Sequence, residues 1–285
     1  MSAFAHEQPG RLDVVGQELA KLPAFMRRDL RTLISYRTGF ASDWIGLAFQ
    51  IFLLHFVGKL VDSQRLPTYA GQHVTYLEFA AVGIAMGMFV HIGLTRVATA
   101  IRMEQMVGTL ESVLVTPTAP GTIQLGSAMF DVVYVPLRTA VFLGVVAAGF
   151  GLHFSSGGIA PAAVVLLAFA PVVWGLGLIS AAGILTFRRG SGIVGIGATV
   201  LTLSAGAYFP LSLLPGWLVT AANLNPLAIA LSGMRRAVLG NAGWTVVPHA
   251  LAVLLPAGIA ALIVGAFAFR LALARERRLG TLGLY

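Results

Sequence analysis

Three clusters of residues carry whatever chemistry this sequence can offer. Asp131 and Arg138 stand seven residues apart in an otherwise apolar run. On a helix that spacing is two turns, so the two groups project from a similar face. Ionisable groups in such surroundings are costly, and they serve either as a structural pair or as part of a substrate path. Pro136 lies between them and would kink the helix, exposing backbone carbonyls. Arg235 and Arg236 form a doubly cationic second cluster. They suit an anionic headgroup or substrate, or they snorkel to lipid phosphates. The third cluster is the run 102–117, where Glu104 and Glu111 are again seven apart and Met103, Met106, Val107 and Leu110 form an apolar stripe. Two acids beside an apolar stripe on an exposed helix suit docking into a partner's groove. Pro117 ends that helix, because the residue before a proline avoids the α region. The plainer alternative is a solvated loop helix in which Thr109 caps.

Several chemistries are excluded or unsupported. With no cysteine, disulfides, Cys-ligated zinc and thiol catalysis cannot occur. His55, His91, His153 and His249 are scattered and lack metal-ligand spacing, so no metal site is expected. A phosphate-binding loop needs Gly-x-x-x-x-Gly-Lys followed by Ser or Thr. The two lysines, Lys21 and Lys59, precede Leu22 and Leu60, and neither fits. No Ser-His-Asp set or Gly-rich nucleotide loop stands out.

The elements that position these residues are membrane helices. The chain of 285 residues is 57% hydrophobic and only 11% charged, with a mean hydropathy of +0.85. A soluble domain carries about 25% charged residues, so lipid must cover much of this surface. A spanning helix needs about 20 mostly apolar residues. Six such stretches can be read, at 41–61, 77–100, 125–154, 159–187, 192–209 and 248–273. The first is the weakest, interrupted by Asp43, Gln50 and His55. The expected architecture is all-α: a disordered lead (1–14), an amphipathic interface helix (15–38), then one six-helix transmembrane domain (39–285). In the interface helix, Leu19, Leu22, Met26, Leu30, Leu33 and Ile34 oppose Arg27, Arg28 and Arg31, the pattern of a helix lying in the headgroup region.

Thirty-three glycines suit close helix approach, and Gly83-xxx-Gly87 is a packing element, within this chain or between two copies. Between the fifth and sixth stretches, "PLSLLPGWL" (210–218) is apolar but broken by proline. It reads as short re-entrant or interfacial helices, a form tolerated only where protein or a cavity surrounds the backbone. Pro161 and Pro171 fall within the fourth stretch.

Net charge is +8, and the basic residues flank apolar stretches instead of forming one soluble patch. They therefore speak for anionic lipid and against nucleic acid. One side of the membrane collects Arg11, Lys21, Arg27, Arg28, Arg31, Arg37, Arg96, Arg102, Arg188, Arg189, Arg270, Arg275, Arg277 and Arg278. The other receives Lys59, Arg65, Arg235 and Arg236. Positive-inside bias then places both termini in the cytoplasm of a multi-pass plasma membrane protein, the inner membrane in a bacterium.

The run "EQMVGTLESVLVTP" (104–117) resembles the signature of ABC exporter permeases of the second type, in which an acidic residue precedes Gly-Thr-Leu-Glu and a Leu-rich stretch ends in Thr-Pro. A second similarity lies at "SAGAYFPLSLLPGWL" (204–218), followed by "NLNPL" (223–227) and Met234-Arg235. The resemblance implies a permease subunit coupling ATP hydrolysis in a separate ABC ATPase chain to export of a drug-like, lipid or glycan substrate. ATP and Mg would be bound by that partner, and this chain would hold no cofactor. It further implies a coupling helix at 101–115, with Glu104, Gly108, Thr109, Leu110, Glu111, Thr116 and Pro117 in contact with the ATPase. Two permease copies and two ATPases would complete the assembly. Asp131, Arg138, Arg235 and Arg236 are the candidate substrate-path residues. The alternative is an intramembrane enzyme acting on a lipid-linked substrate through Asp131, Arg138 and a histidine. An ion-coupled transporter with Asp131 as the ion site is a third reading, for which inverted repeats are wanting.

Overall fold

The computed structural model describes residues 37–61, 66–69, 71–107, 120–152, 154–187 and 191–279, with isolated positions between 23 and 35. For 96–107 and 120–133 it describes the backbone alone. The lead at 1–14 and most of the helix expected at 15–38 lie outside these residues. At Arg27, Leu30, Arg31 and Ser35 the backbone is helical.

Helix α1 (Arg37–Gly58) leads through a two-residue hairpin, β1 (Thr68–Tyr69) and β2 (Gln72–His73), into α2 (Tyr76–Val107). The hairpin turns at Gly71, with φ +76°, where a side chain would be strained. Next come α3 (Pro120–Phe150), α4 (Ser156–Phe187), α5 (Ser191–Ser204), α6 (Gly216–Asn223), α7 (Pro226–Val238) and α8 (Val247–Leu279). Among the described residues, three helical stretches are long and apolar enough to cross a membrane, 76–95, 156–187 and 243–276, while α1, α3 and α5 hold shorter apolar stretches at 48–58, 134–150 and 192–204.

Two expectations about boundaries need correction. The fifth stretch, read as 192–209, stops as a helix at Ser204, because Gly206 takes φ +73° and turns the chain. The separate short helix read from 101 begins instead as an unbroken continuation of α2 through Val107. Pro136, expected to kink its helix, sits inside α3.

Helix α2 is the centre of the bundle. Its apolar stretch is 78% buried, against 22% for that of α8. One face of α2 meets α4, α5 and α7 in the main core, where Val82, Met86, Phe89 and Val90 join one buried cluster with Val165, Phe169, Leu227, Leu231 and, from α8, Leu254. Glycine lets α4 and α8 approach closely: a Cβ on Gly258 would stand 2.8 Å from Pro171 Cβ, and one on Gly175 would overlap the Ala261 backbone. The other face of α2 meets α1 and α3 through Ile51, Leu54, Ala81, Ile84, Phe142 and Val146. Helix α1 is the less embedded partner, leaving Ile45, Phe49, Phe52, Leu53 and Phe56 exposed. In a bilayer such a face is solvated by hydrocarbon.

Helix α2 starts with a reciprocal cap. The Thr75 amide and hydroxyl donate to Glu78 Oε2 at 2.8 and 2.9 Å, and the Glu78 amide donates to Thr75 Oγ1 at 3.3 Å. This capping box satisfies two otherwise orphaned donors at the helix start, which explains an acid at the edge of an apolar stretch.

Candidate functional site

A cavity of about 550 Å³ opens among α1, α2, α3 and α5. That volume is typical of small-molecule sites. Each wall comes from a different element: Ser42, Gly46 and Gln50 from α1; Ile84, Gly87, Met88, His91, Ile92 and Thr95 from α2; Arg138 from α3; Ala198, Thr199 and Thr202 from α5; and Tyr208 from the turn beyond it. From Ile84 to Thr95 the lining covers about 16 Å along α2 at 1.5 Å per residue, roughly half a bilayer's hydrocarbon thickness.

The wall is polar on a scale that lipid-facing helices are not. Three of its threonines direct their hydroxyl protons into their own helices: Thr95 Oγ1 to the His91 carbonyl at 2.7 Å, Thr199 to Gly195 at 3.0 Å and Thr202 to Ala198 at 2.7 Å. These hydroxyls are left with acceptor lone pairs. Donor capacity comes from Gln50, His91, Tyr208 and the Arg138 guanidinium. Among the described lining residues there is no carboxylate.

The residues around Tyr208 are clamped from behind. The Tyr208 carbonyl accepts from the Tyr76 hydroxyl at 3.1 Å. Just before it, the carbonyls of Gly206 and Ala207 accept from Arg235 Nη1 and Nη2 at 2.9 and 2.8 Å. Arg235 also donates to the Phe79 carbonyl through Nε and Nη2, at 3.3 and 3.1 Å. Asn225 holds the same turn from the start of α7. Its Oδ1 accepts from the Leu227 amide at 2.9 Å, capping α7, while its Nδ2 donates to the Leu201 carbonyl at 2.9 Å and Ser204 Oγ at 3.1 Å. Pro226 at the first turn of α7 has no amide to leave unsatisfied.

The expected site residues therefore separate. Arg138 is half-buried and forms part of the cavity wall. Asp131 lies on the same helix, about 10 Å toward its N-terminal end, and its side chain is outside the described residues. Arg235 was expected to hold an anion or to snorkel, and that is corrected: it is 5% exposed and its guanidinium serves three backbone carbonyls. Burial pulls its pKa down to about 10, with Tyr69 opposing the shift, so it remains charged at neutral pH. Arg236, one residue on, is exposed. Glu104 falls on the last turns of α2 with its side chain undescribed, and Gly108, Thr109, Leu110, Glu111, Thr116 and Pro117 lie outside the described residues.

Gly83 and Gly87 resolve to contacts within the chain. A Cβ on Gly83 would overlap the Ala207 carbonyl, and one on Gly87 would stand 2.8 Å from Thr202 Cγ2. The pair lets the end of α5 lie directly on α2 beside the cavity. Ser42, Gln50, His91 and Thr199 were not singled out as site residues, and they follow no local spacing that could have revealed them.

The sequence model described as ABC-2 type transporter matches residues 24–239, which include every described wall of the cavity and the Asn225–Arg235 clamp. No curated protein matches the chain. A match over most of the chain, on a bundle of apolar helices around a polar cavity, settles the family: the chain belongs to the ABC-2 type transporters and is a multi-pass membrane permease of that family.

Proposed function

We propose that the chain is the membrane subunit of an ATP-driven exporter, working as two permease copies with two separate ABC ATPase subunits and with both termini cytoplasmic. The observation that carries this reading is the continuity of α2. The helix lines the cavity from Ile84 to Thr95 among the described residues and continues without a break to Val107, about 18 Å past Thr95 at 1.5 Å per residue. Glu104 and the start of the acidic, apolar segment 104–117 ride on that extension. An ATPase gripping the segment would act on a helix that is unbroken from the cavity to Val107, and tilting it would reshape the cavity wall.

Two further observations support it. The basic residues concentrate on the side where the extension emerges, which suits a cytoplasmic ATPase. No lysine of the chain stands in a phosphate-binding loop, so the motor would be another polypeptide. The cavity would form part of the translocation path, with drug-like, lipid or glycan cargo entering among α1, α2, α3 and α5.

The test is co-purification of the full chain with an ABC ATPase encoded beside it, in lipid nanodiscs. Stable equimolar association with ATPase activity dependent on the permease is the expected result. A folded chain that associates with no such ATPase would overturn the reading.

A further inference from the structure

Toward the start of α2 the cavity gives way to an apolar cluster. Resting on the permease reading above, we propose that Ile51 and Leu54 of α1, Leu77 and Ala81 of α2, and Phe142 and Val146 of α3 form the exit gate for cargo, and that it opens where α1 parts from α2.

Ile84, Met88 and Tyr208 line the cavity and also pack in this cluster, so the two share a boundary. From Ile84 to Leu77 the cluster extends about 10 Å along α2 at 1.5 Å per residue. Its side chains are closed on one another: Val146 is 0% exposed, Phe142 1% and Ala81 2%. With both termini cytoplasmic, the Tyr76 end of α2 is the outer one. Cargo leaving the cavity outward along α2 has to pass between these side chains.

The seam with α1 is the place where this cluster can part. On its opposite face α2 is fixed by polar and backbone contacts: the Phe79 carbonyl accepts from Arg235, and Gly83 lies against the Ala207 backbone. Tyr76 is tied to the turn after α5 by its hydroxyl, which donates to the Tyr208 carbonyl. Helix α2 therefore moves with the segment from α5 to α7. What α1 gives the cluster is hydrocarbon, Ile51 and Leu54. One turn further on, Gly58 lies against Tyr76, whose Cδ1 would stand 3.6 Å from a Cβ there. Lipid tails are as apolar as leucine, so in a bilayer such a contact exchanges readily for lipid or for a cargo's hydrocarbon. A broken hydrogen bond at that depth finds no such substitute. A tilt of α2 is thus expressed as separation from α1.

The chain has no cysteine, so an introduced thiol is its sole reporter. Right-side-out vesicles from cells producing the full chain with the ABC ATPase encoded beside it are loaded with ATP or with ADP. The membrane-impermeant probe trimethylammonium-ethyl methanethiosulfonate is added outside. A minor conformer is populated at about 0.1–10%, so making it the major one should speed modification of Ala81→Cys at least about tenfold with ATP. Ala230→Cys, equally buried but in the main core, should not respond. Should Ala81→Cys fail to fold, Leu54→Cys reads the same seam from α1. The parting itself is read by Gly58→Cys combined with Tyr76→Cys. A Cβ on Gly58 would stand 3.7 Å from Tyr76 Cβ, within the range of about 3.5–4.5 Å that a disulfide requires. Copper-phenanthroline should join this pair at least about tenfold more slowly with ATP than with ADP. Equal acceleration at Ala81→Cys and Ala230→Cys would be general loosening and overturns the gate. ATP turnover without acceleration at Ala81→Cys overturns it too, and leaves the permease reading intact. Cross-linking at one rate in ATP and ADP overturns the parting of α1 from α2. A chain that recovers no ATPase on co-purification fails as a permease first, and the gate falls with that reading.

Discussion

The Arg235 guanidinium sits over the Phe79 ring, its Cζ 3.5 Å from the centroid, while two of its nitrogens donate to that residue's own carbonyl. One phenylalanine thus answers the charge twice, through its π face and its backbone dipole, and no carboxylate is needed.

Replacing Arg235 with leucine leaves the carbonyls of Phe79, Gly206 and Ala207 without these donors. At roughly 1–3 kcal/mol for each buried group left unsatisfied, the loss should reach about 3 kcal/mol or more. Arg235→Lys keeps the charge but lacks the fork and should fall between. Thermal unfolding of the purified chain in detergent measures both, and an unchanged midpoint for Arg235→Leu would show that the clamp is dispensable.

Asn225 does two jobs, and two substitutions separate them. Asn225→Asp keeps an acceptor for the Leu227 amide but loses both donations to Leu201 and Ser204. Asn225→Ala loses the cap as well and should cost about 1 kcal/mol more. Equal unfolding midpoints for the two variants would show that the cap contributes nothing here.

Gly83 and Gly87 on α2 and Gly144 on α3 are predicted to differ in kind. Gly83→Ala drives a methyl into backbone and should destabilise by about 1–3 kcal/mol. Gly87→Ala meets only the Thr202 methyl at 2.8 Å, which a side-chain rotation can relieve, so its effect should be smaller. Gly144→Ala, with nothing within 4 Å, should be neutral or gain about 0.5–1 kcal/mol. Unfolding midpoints of the three variants, ranked in any other order, would contradict the packing described.

Glu111→Lys tests the cytoplasmic segment. Under the proposed function it should weaken ATPase association by about tenfold or more, alone or with Glu104→Lys, while leaving the unfolding midpoint of the permease unchanged. Normal association and transport by the double variant would remove this segment from the contact.

The apolar stretches were legible because hydrocarbon imposes a length and a composition that any reader of the sequence can count. The helix ends were less so. Gly206 carries no mark that tells a turn from a packing glycine, and the fifth stretch was accordingly read five residues too long, to 209 instead of Ser204. Asn225 and Arg235 stood out as motif residues, yet their partners lie 21 to 156 residues away, so their work as clamps could not be read locally. Arg138 was visible as an anomaly in an apolar run. The cavity around it was not, because Ser42, His91 and Thr199 meet only once three helices have packed.

The brevity of α5 bears on how the molecule is made. Its 14 residues reach about 21 Å, short of the roughly 30 Å hydrocarbon core, so it is a poor candidate to enter the bilayer alone during synthesis. The polar groups that follow it, Asn225 and Arg235, find their partners on α5 itself, on the turn after it, and on Phe79, a residue translated 156 positions earlier. The segment from α5 to α7 must therefore assemble as a unit against an α2 already in place, which makes the first half of the chain the template on which the second half is inserted.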